Sequence, residues 1–296
     1  MDETTQRGTV LRCSQINHFK FREIIQMSHL LVLAGVFSFF TLLIAPVTAK
    51  AESFTAYEIM QRVDARDTGK TAVSHNTLIL IDKRDRQRIR TLKFFSKDYG
   101  EVQKRISFFL EPADVRDTAY LSHEWEDESR EIDSWLYLPA LQKVNRIAAA
   151  DRSSAFMGSD FTYSDIDGFK IDDFQYTLID DSDPVDGVDC WVLESTPKTE
   201  SVTRKTGYTH SRFWVRKDNF MQVKSIINVK KGKRIKFFMA RDIELVDGIW
   251  IARKLQMVTT RNNKRQHSSL FIINDVRFNQ EIEDSLFEVQ SMHRGN

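Results

Sequence analysis

The sequence predicts a mainly β protein, a curled antiparallel sheet with one N-terminal helix, and three observations carry that reading. From Trp191 onward the runs WVLEST, SRFWVR, FMQVKSIINVK, RIKFFMARDIEL, IWIARKLQMVTT and HSSLFIINDVRF follow one another, rich in β-branched and aromatic residues. Turn signals separate them at Lys217-Asp218-Asn219, Lys231-Gly232-Lys233, Asp247-Gly248 and Arg261-Asn262-Asn263, the pattern of an antiparallel meander. Three further runs of this kind, TLILID, RTLKFFSK and VQKRISFFL, lie upstream, and only one segment, SFTAYEIMQRVDARDTG, has a helical period. Twisted sheets of about ten strands tend to curl, and a curled sheet with one apolar face encloses a concavity that something must fill or cover.

Taken in order, the chain opens with an apolar run from Leu30 to Ile44, followed by Pro46 and the small-residue pattern Ala49-Lys50-Ala51. A helix over that run rises about 22 Å at about 1.5 Å per residue, short of the roughly 30 Å hydrocarbon core. Residues 1–51 therefore read as a cleaved secretory signal, with a start at Met27 as one variant and a retained anchor as the alternative, leaving 52–296 as a single domain. In the helix that follows, Thr55 and Glu58 have the spacing of a capping box, Ile59, Met60 and Val63 share a face, and Gly69 marks the exit. The last strand is expected to set Leu270, Ile272, Val276 and Phe278 on one face with Asn274, opposite Asp275 and Arg277. Residues 111–170 alternate less cleanly, hold Pro112, Pro139 and Gly158, and suggest short helices around 148–164. Chemistry-bearing residues concentrate there, which makes this stretch the first place to look for function.

Composition excludes several classes. The whole chain carries a formal net charge of +1, and removal of the leader leaves it near neutrality, a balance that does not suggest a nucleic-acid partner. The chain has 2 cysteines, of which Cys13 lies in the leader and Cys190 stands alone, so no disulfide framework is expected. HEWED (123–127) offers carboxylates beside His123 but no second histidine at a zinc-type spacing, and neither Ser122-His123 nor Ser164-Asp165 fits a nucleophile elbow or triad. No enzyme, metal or cofactor is expected.

Two segments carry the functional reading. WLYLPALQKVNRI (135–147) sets Trp135, Tyr137, Leu138 and Leu141 around Pro139, with Lys143 and Arg146 just beyond: apolar surface beside positive charge, the chemistry of holding an amphiphile. These are expected to be wall or rim, with Lys143 and Arg146 meeting a head group or a partner. In AFMGSDFTYSDI, Phe156, Met157, Phe161 and Tyr163 are expected to form an adaptable flap hinged at Gly158, the plain alternative being a structural corner capped by Ser159 or Asp160.

DSWLYLPALQKVNRIAAADRSSAFMGSDFTYSDI, together with PADVRDTAYLS and KTGYTHSRFWVRKDNFM, resembles the outer-membrane lipoprotein-sorting protein family, relatives of the periplasmic lipoprotein carrier and its outer-membrane receptor (LolA/LolB-like). The resemblance runs over nearly all of the chain after the leader. It implies an unclosed antiparallel barrel, a half-barrel, with helices over its concave face and an apolar cavity for acyl chains of a lipoprotein or lipid. It also implies a periplasmic location and partnership with a membrane exporter of the RND type. A periplasmic exporter adaptor that carries no lipid is the rival reading.

Overall fold

The computed structural model describes residues 54–293. The expected leader, with the apolar run 30–44 and Ala49-Lys50-Ala51, lies outside the described residues. Among those described, no helix is long and apolar enough to cross a membrane.

Helix α1 (Ala56–Asp64) begins with the reciprocal cap that its sequence predicts: Glu58 N donates to Thr55 Oγ1 at 3.2 Å and Thr55 N donates to Glu58 Oε2 at 2.7 Å. It ends at Asp64, ahead of Gly69. That glycine has φ +78° and serves close approach instead, since a Cβ there would lie 2.8 Å from Phe278 Cδ1. The buried face of α1, Ile59 and Met60, packs on Trp191, Leu193 and Phe213 of the sheet.

Thirteen strands follow: β1 (Thr71–Ile81), β2 (Gln87–Asp98), β3 (Val102–Glu111), β4 (Ala119–Trp125), β5 (Asp133–Leu138), β6 (Lys143–Ile147), β7 (Phe174–Asp180), β8 (Cys190–Pro197), β9 (Tyr208–Arg216), β10 (Gln222–Val229), β11 (Arg234–Val246), β12 (Ile249–Arg261) and β13 (Lys264–Phe278). They form one sheet in the order β6-β5-β4-β3-β2-β1-β13-β12-β11-β10-β9-β8-β7. Every neighbouring pair is antiparallel, and the sole non-sequential pairing, β1 with β13, joins the two halves of the meander. β6 and β7 are the two edges, so the sheet is an unclosed half-barrel.

The nine strand runs expected from the sequence all fall in strands. β4, β5 and β6 occupy the middle stretch that alternates poorly, and β7 and the short helix α3 (Glu200–Thr206) are likewise additional. One face assignment is overturned. β13 pairs Asp275 with His75 but Ile273 with Asn76, so Asn274 is an extra, bulged residue. A bulge switches the side to which alternate residues point. Phe271 and Ile273, rather than Leu270 and Ile272, therefore share the inner face with Val276 and Phe278.

Both faces are covered. Against the concave face packs residues 148–173, with helix α2 (Tyr163–Asp167), forming a core of Phe156, Phe161 and Tyr163 with Leu78, Leu92, Phe109 and Met257. Over the outer face of β2–β5 runs the C-terminal tail, whose Phe287 and Met292 are fully buried against Phe95, Ile106, Phe108 and Leu121.

A candidate apolar binding site on the concave face

Residues 148–173 act as a plug in the half-barrel, and three carboxylates fix it to three separate regions of the sheet. Asp160 accepts hydrogen bonds from Ser269 Oγ at 2.8 Å, Thr259 Oγ1 and His267 Nδ1, all on β12 and β13. Asp165 first closes the capping box of α2, accepting from Thr162 N at 2.7 Å, and then accepts from Tyr208 Oη on β9 at 2.7 Å. Lys236 Nζ of β11 stands 3.7 Å from it and donates to Tyr208 Oη at 3.0 Å. Asp167, with no exposed surface, accepts from Tyr120 Oη at 2.5 Å, Ser134 Oγ at 2.9 Å and Arg152 Nε at 3.1 Å.

Burial governs the electrostatics of this latch. It pushes the Asp167 carboxyl up against the opposing pull of Arg152, and pushes Tyr120 and Tyr208 well above their ordinary values, helped by Asp167 and Asp165 respectively. The tyrosines thus stay protonated and act as donors. Lys236 is pushed down by burial, with Asp165 opposing.

The plug leaves part of the concavity empty. A cavity of about 470 Å³ remains between Phe156, Phe161 and Ile166 of the plug and an apolar wall from β10–β13 that includes Phe238, Leu255, Met257, Phe271 and Ile273. The β1–β3 wall is different: Ser74, Asn76, Ser96 and Ser107 place small polar groups among Leu92 and Phe94. Asn76 donates from Nδ2 to Ser74 Oγ at 3.0 Å, and its buried Oδ1 has no hydrogen-bond partner among the described residues. An apolar cavity with a few convergent polar groups is the usual form of a small-molecule site.

Toward α1 the cavity meets a vestibule of about 540 Å³, the two sharing Thr68, Gln103, Arg105, Phe169, Gln222 and Ile227. The vestibule rim is acidic. Glu124 pairs with Arg105 at 2.7 Å and Glu128 with Lys170 at 3.7 Å, while Asp64 has no ion-pair partner among the described residues. Burial first, then Glu124 and Glu126, raises the Asp64 carboxyl above its usual range.

Of the residues singled out in the sequence, Phe156 and Phe161 line the cavity. Tyr163 sits behind them, its ring tilted against that of Tyr120 with centroids 5.3 Å apart, and Met157 packs on the same core with its carbonyl oxygen accepting from Arg90. Trp135 and Tyr137 point to the outer face, where Trp135 meets His123 at 4.9 Å and Tyr137 meets His293 at 4.7 Å beneath the tail. Leu138 ends β5 and pairs with Lys143, which begins β6, Leu141 lies in the turn between them and is 64% exposed, and Arg146 pairs with Asp133; none of the four lines the cavity. The sequence singles out neither the β10–β13 wall nor the anchoring role of Asp160, Asp165 and Asp167. The strands are visible in sequence, but which residues of β13 face inward depends on the bulge at Asn274. His123, Glu124 and Asp127 form no metal cluster, and none is found among the described residues.

A family model described as "Uncharacterized protein" matches residues 101–294. Among solved structures, the chain is similar to a domain from Vibrio parahaemolyticus assigned to outer-membrane lipoprotein sorting, at 28% identity and a TM-score of 0.72 over 81% of this chain and 98% of that one. A DUF1329 family protein from Desulfovibrio piger gives 28% identity and a TM-score of 0.72, over 80% of this chain and 97% of that one. A LolA superfamily protein from Nitrosomonas europaea shares the fold, at 19% identity and a TM-score of 0.60, over 80% of this chain and 99% of that one. No curated protein matches the sequence.

Proposed function

This chain belongs to the outer-membrane lipoprotein-sorting protein family, and from that premise we propose that it is a non-enzymatic periplasmic carrier that holds an acyl chain of a lipid or lipoprotein in its concave cavity. The observation that carries the reading is the apolar cavity of about 470 Å³ between plug and sheet, bounded on one side by Phe156 and Phe161 and on the other by the β10–β13 wall. Burial contributes about 25 cal/mol per Å² of apolar area, so a chain burying a few hundred Å² gains several kcal/mol before ordering costs, enough for reversible transfer. The unpartnered Asn76 Oδ1 offers an acceptor to an amide N–H at the head of such a chain. Handover toward the outer membrane, with an RND-type exporter as the partner implied by family resemblance, would take place at the vestibule.

The test is displacement of a fluorescent fatty acyl probe from delipidated protein. Phe161→Asp places a carboxylate where the chain lies and should abolish binding, while Ile273→Trp should fill the cavity and weaken binding in a protein that still folds. Thermal melts on the same samples separate loss of ligand from loss of fold. A delipidated wild type that takes up no probe rejects the carrier and leaves the exporter adaptor. Intact mass of the exported protein checks the processing: the expected N-terminus is near Glu52, and a retained 30–44 segment would mean an anchored protein.

A further inference from the structure

The antiparallel register sorts the connections into two ends. The turns β1–β2, β10–β11 and β12–β13 lie together, since Ile81 pairs with both Gln87 and Ser268, and Arg234 pairs with Arg261. The vestibule rim, with Glu124, Glu126 and Glu128, is at the other end. A chain that is nearly neutral overall is therefore charged at its ends, and the first end is basic.

Three features of that basic end stand out. Arg234 lies directly across from Arg261, and Arg261 directly across from Lys264, so three cations are in register on neighbouring strands. Like charges placed opposite one another destabilise a sheet. The local carboxylates do not relieve them: Asp82 pairs with Arg86, Asp85 pairs with Arg265, and Asp160 is buried in the latch. Lys83, Arg88, Arg234, Arg261 and Lys264 have no ion-pair partner among the described residues, and all five are exposed. Finally, a bowl of about 930 Å³ is lined by four of these cations, Lys83, Arg88, Arg234 and Arg261, together with the Asp82–Arg86 pair, His267, and Gly158 and Asp160 of the plug, while Lys264 lies outside its lining.

We propose that this bowl is a phosphate-binding site that takes the head groups of anionic lipids and so docks the basic end on a lipid surface, with the acidic-rimmed vestibule at the far end. Guanidinium groups match phosphate oxygens bidentately, and clustered Lys and Arg are drawn to an anionic bilayer. An anion in the bowl, between Arg234 and Arg261, also relieves the like-charge repulsion that the fold otherwise carries. The site is separate from the acyl cavity, because the plug stands between them: Phe156 and Phe161 face the cavity, Gly158 and Asp160 the bowl.

The experiment is co-sedimentation of the purified protein with vesicles of phosphatidylglycerol and phosphatidylcholine, against phosphatidylcholine alone, at low and high salt. Binding is expected to the anionic vesicles only and to fade at about 1 M salt, where the screening length falls to about 3 Å. Arg88→Glu and Arg261→Glu should each weaken it, and the double variant at least tenfold. Arg261→Glu places a carboxylate between Arg234 and Lys264, so its melting temperature should hold or rise, which keeps misfolding from mimicking the loss. Acyl-probe affinity, measured in parallel, should not change, so this site and the carrier reading fail independently. Pyrophosphate binding by calorimetry, lost in the same variants but without vesicle binding, would keep the phosphate site and assign it a soluble ligand. No binding to either, vesicle binding untouched by charge reversal, or tighter binding to an oligonucleotide than to vesicles would overturn the proposal.

Discussion

Arg152 and Asp167 face each other at 3.1 Å with almost no solvent, and neither charge is tolerable alone. Removing one partner of a buried ion pair typically costs about 3 to 5 kcal/mol, because the other is left uncompensated. Asp167→Asn keeps the shape and an acceptor for Tyr120 but strands the guanidinium, so a loss of that size in denaturant-derived stability is expected. His123 gives a second residue-level prediction, this time in pH. Burial between Trp135 and the tail lowers its pKa, against the pull of the Phe287 carbonyl oxygen that lies 3.1 Å from Nε2. The unfolded chain takes up the proton near the ordinary value of about 6.5 while the folded chain resists it. The contribution of His123 is therefore complete above that value and is lost as pH falls below it. Wild-type melting temperature should drop between about pH 7.5 and 5 more steeply than that of His123→Phe.

At the scale of elements, the β11–β12 hairpin turns at Asp247 and Gly248, with φ of 52° and 84°. Both central residues are left-handed, the primed turn that Asp-Gly favours. Nothing lies within 4 Å of a Cβ added at Gly248, so Gly248→Val tests backbone strain alone and should cost about 1 to 3 kcal/mol in thermal or denaturant melts. That turn, the capping box of α1 and the long strands were legible because each is specified by neighbouring residues. β4–β6 were not, for their alternation is broken by charges and by Pro139. The site was harder still. Alternation says that Trp135 and Tyr137 share a face of β5 but not which one. The answer comes from Phe287 and Met292, far along the chain, which roof the outer side. Nor does SDFTYSDID reveal that its aspartates reach β4, β5, β9, β12 and β13; read alone it is a mobile flap, whereas the hydrogen bonds make it a fixed plug.

For the whole molecule, an unclosed sheet built around an empty apolar cavity forgoes contacts that a packed core would have. The lining atoms lose dispersion partners on one side, so the delipidated protein should be the less stable form. A ligand that binds only the folded state adds RT ln(1 + [L]/Kd), about 2.7 kcal/mol at a free concentration of 100 Kd. For a chain of this size each kcal/mol moves the midpoint by about 2 to 4 °C, which places the shift at roughly 5 to 10 °C. Ile273→Trp is the informative control, because a side chain that occupies the cavity should raise the ligand-free midpoint and shrink the ligand-induced rise together. Scanning calorimetry of delipidated wild type and variant, with and without a saturating long-chain fatty acid, measures both quantities. A ligand-induced rise equal in the two proteins would place the acyl chain somewhere other than between the plug and the β10–β13 wall.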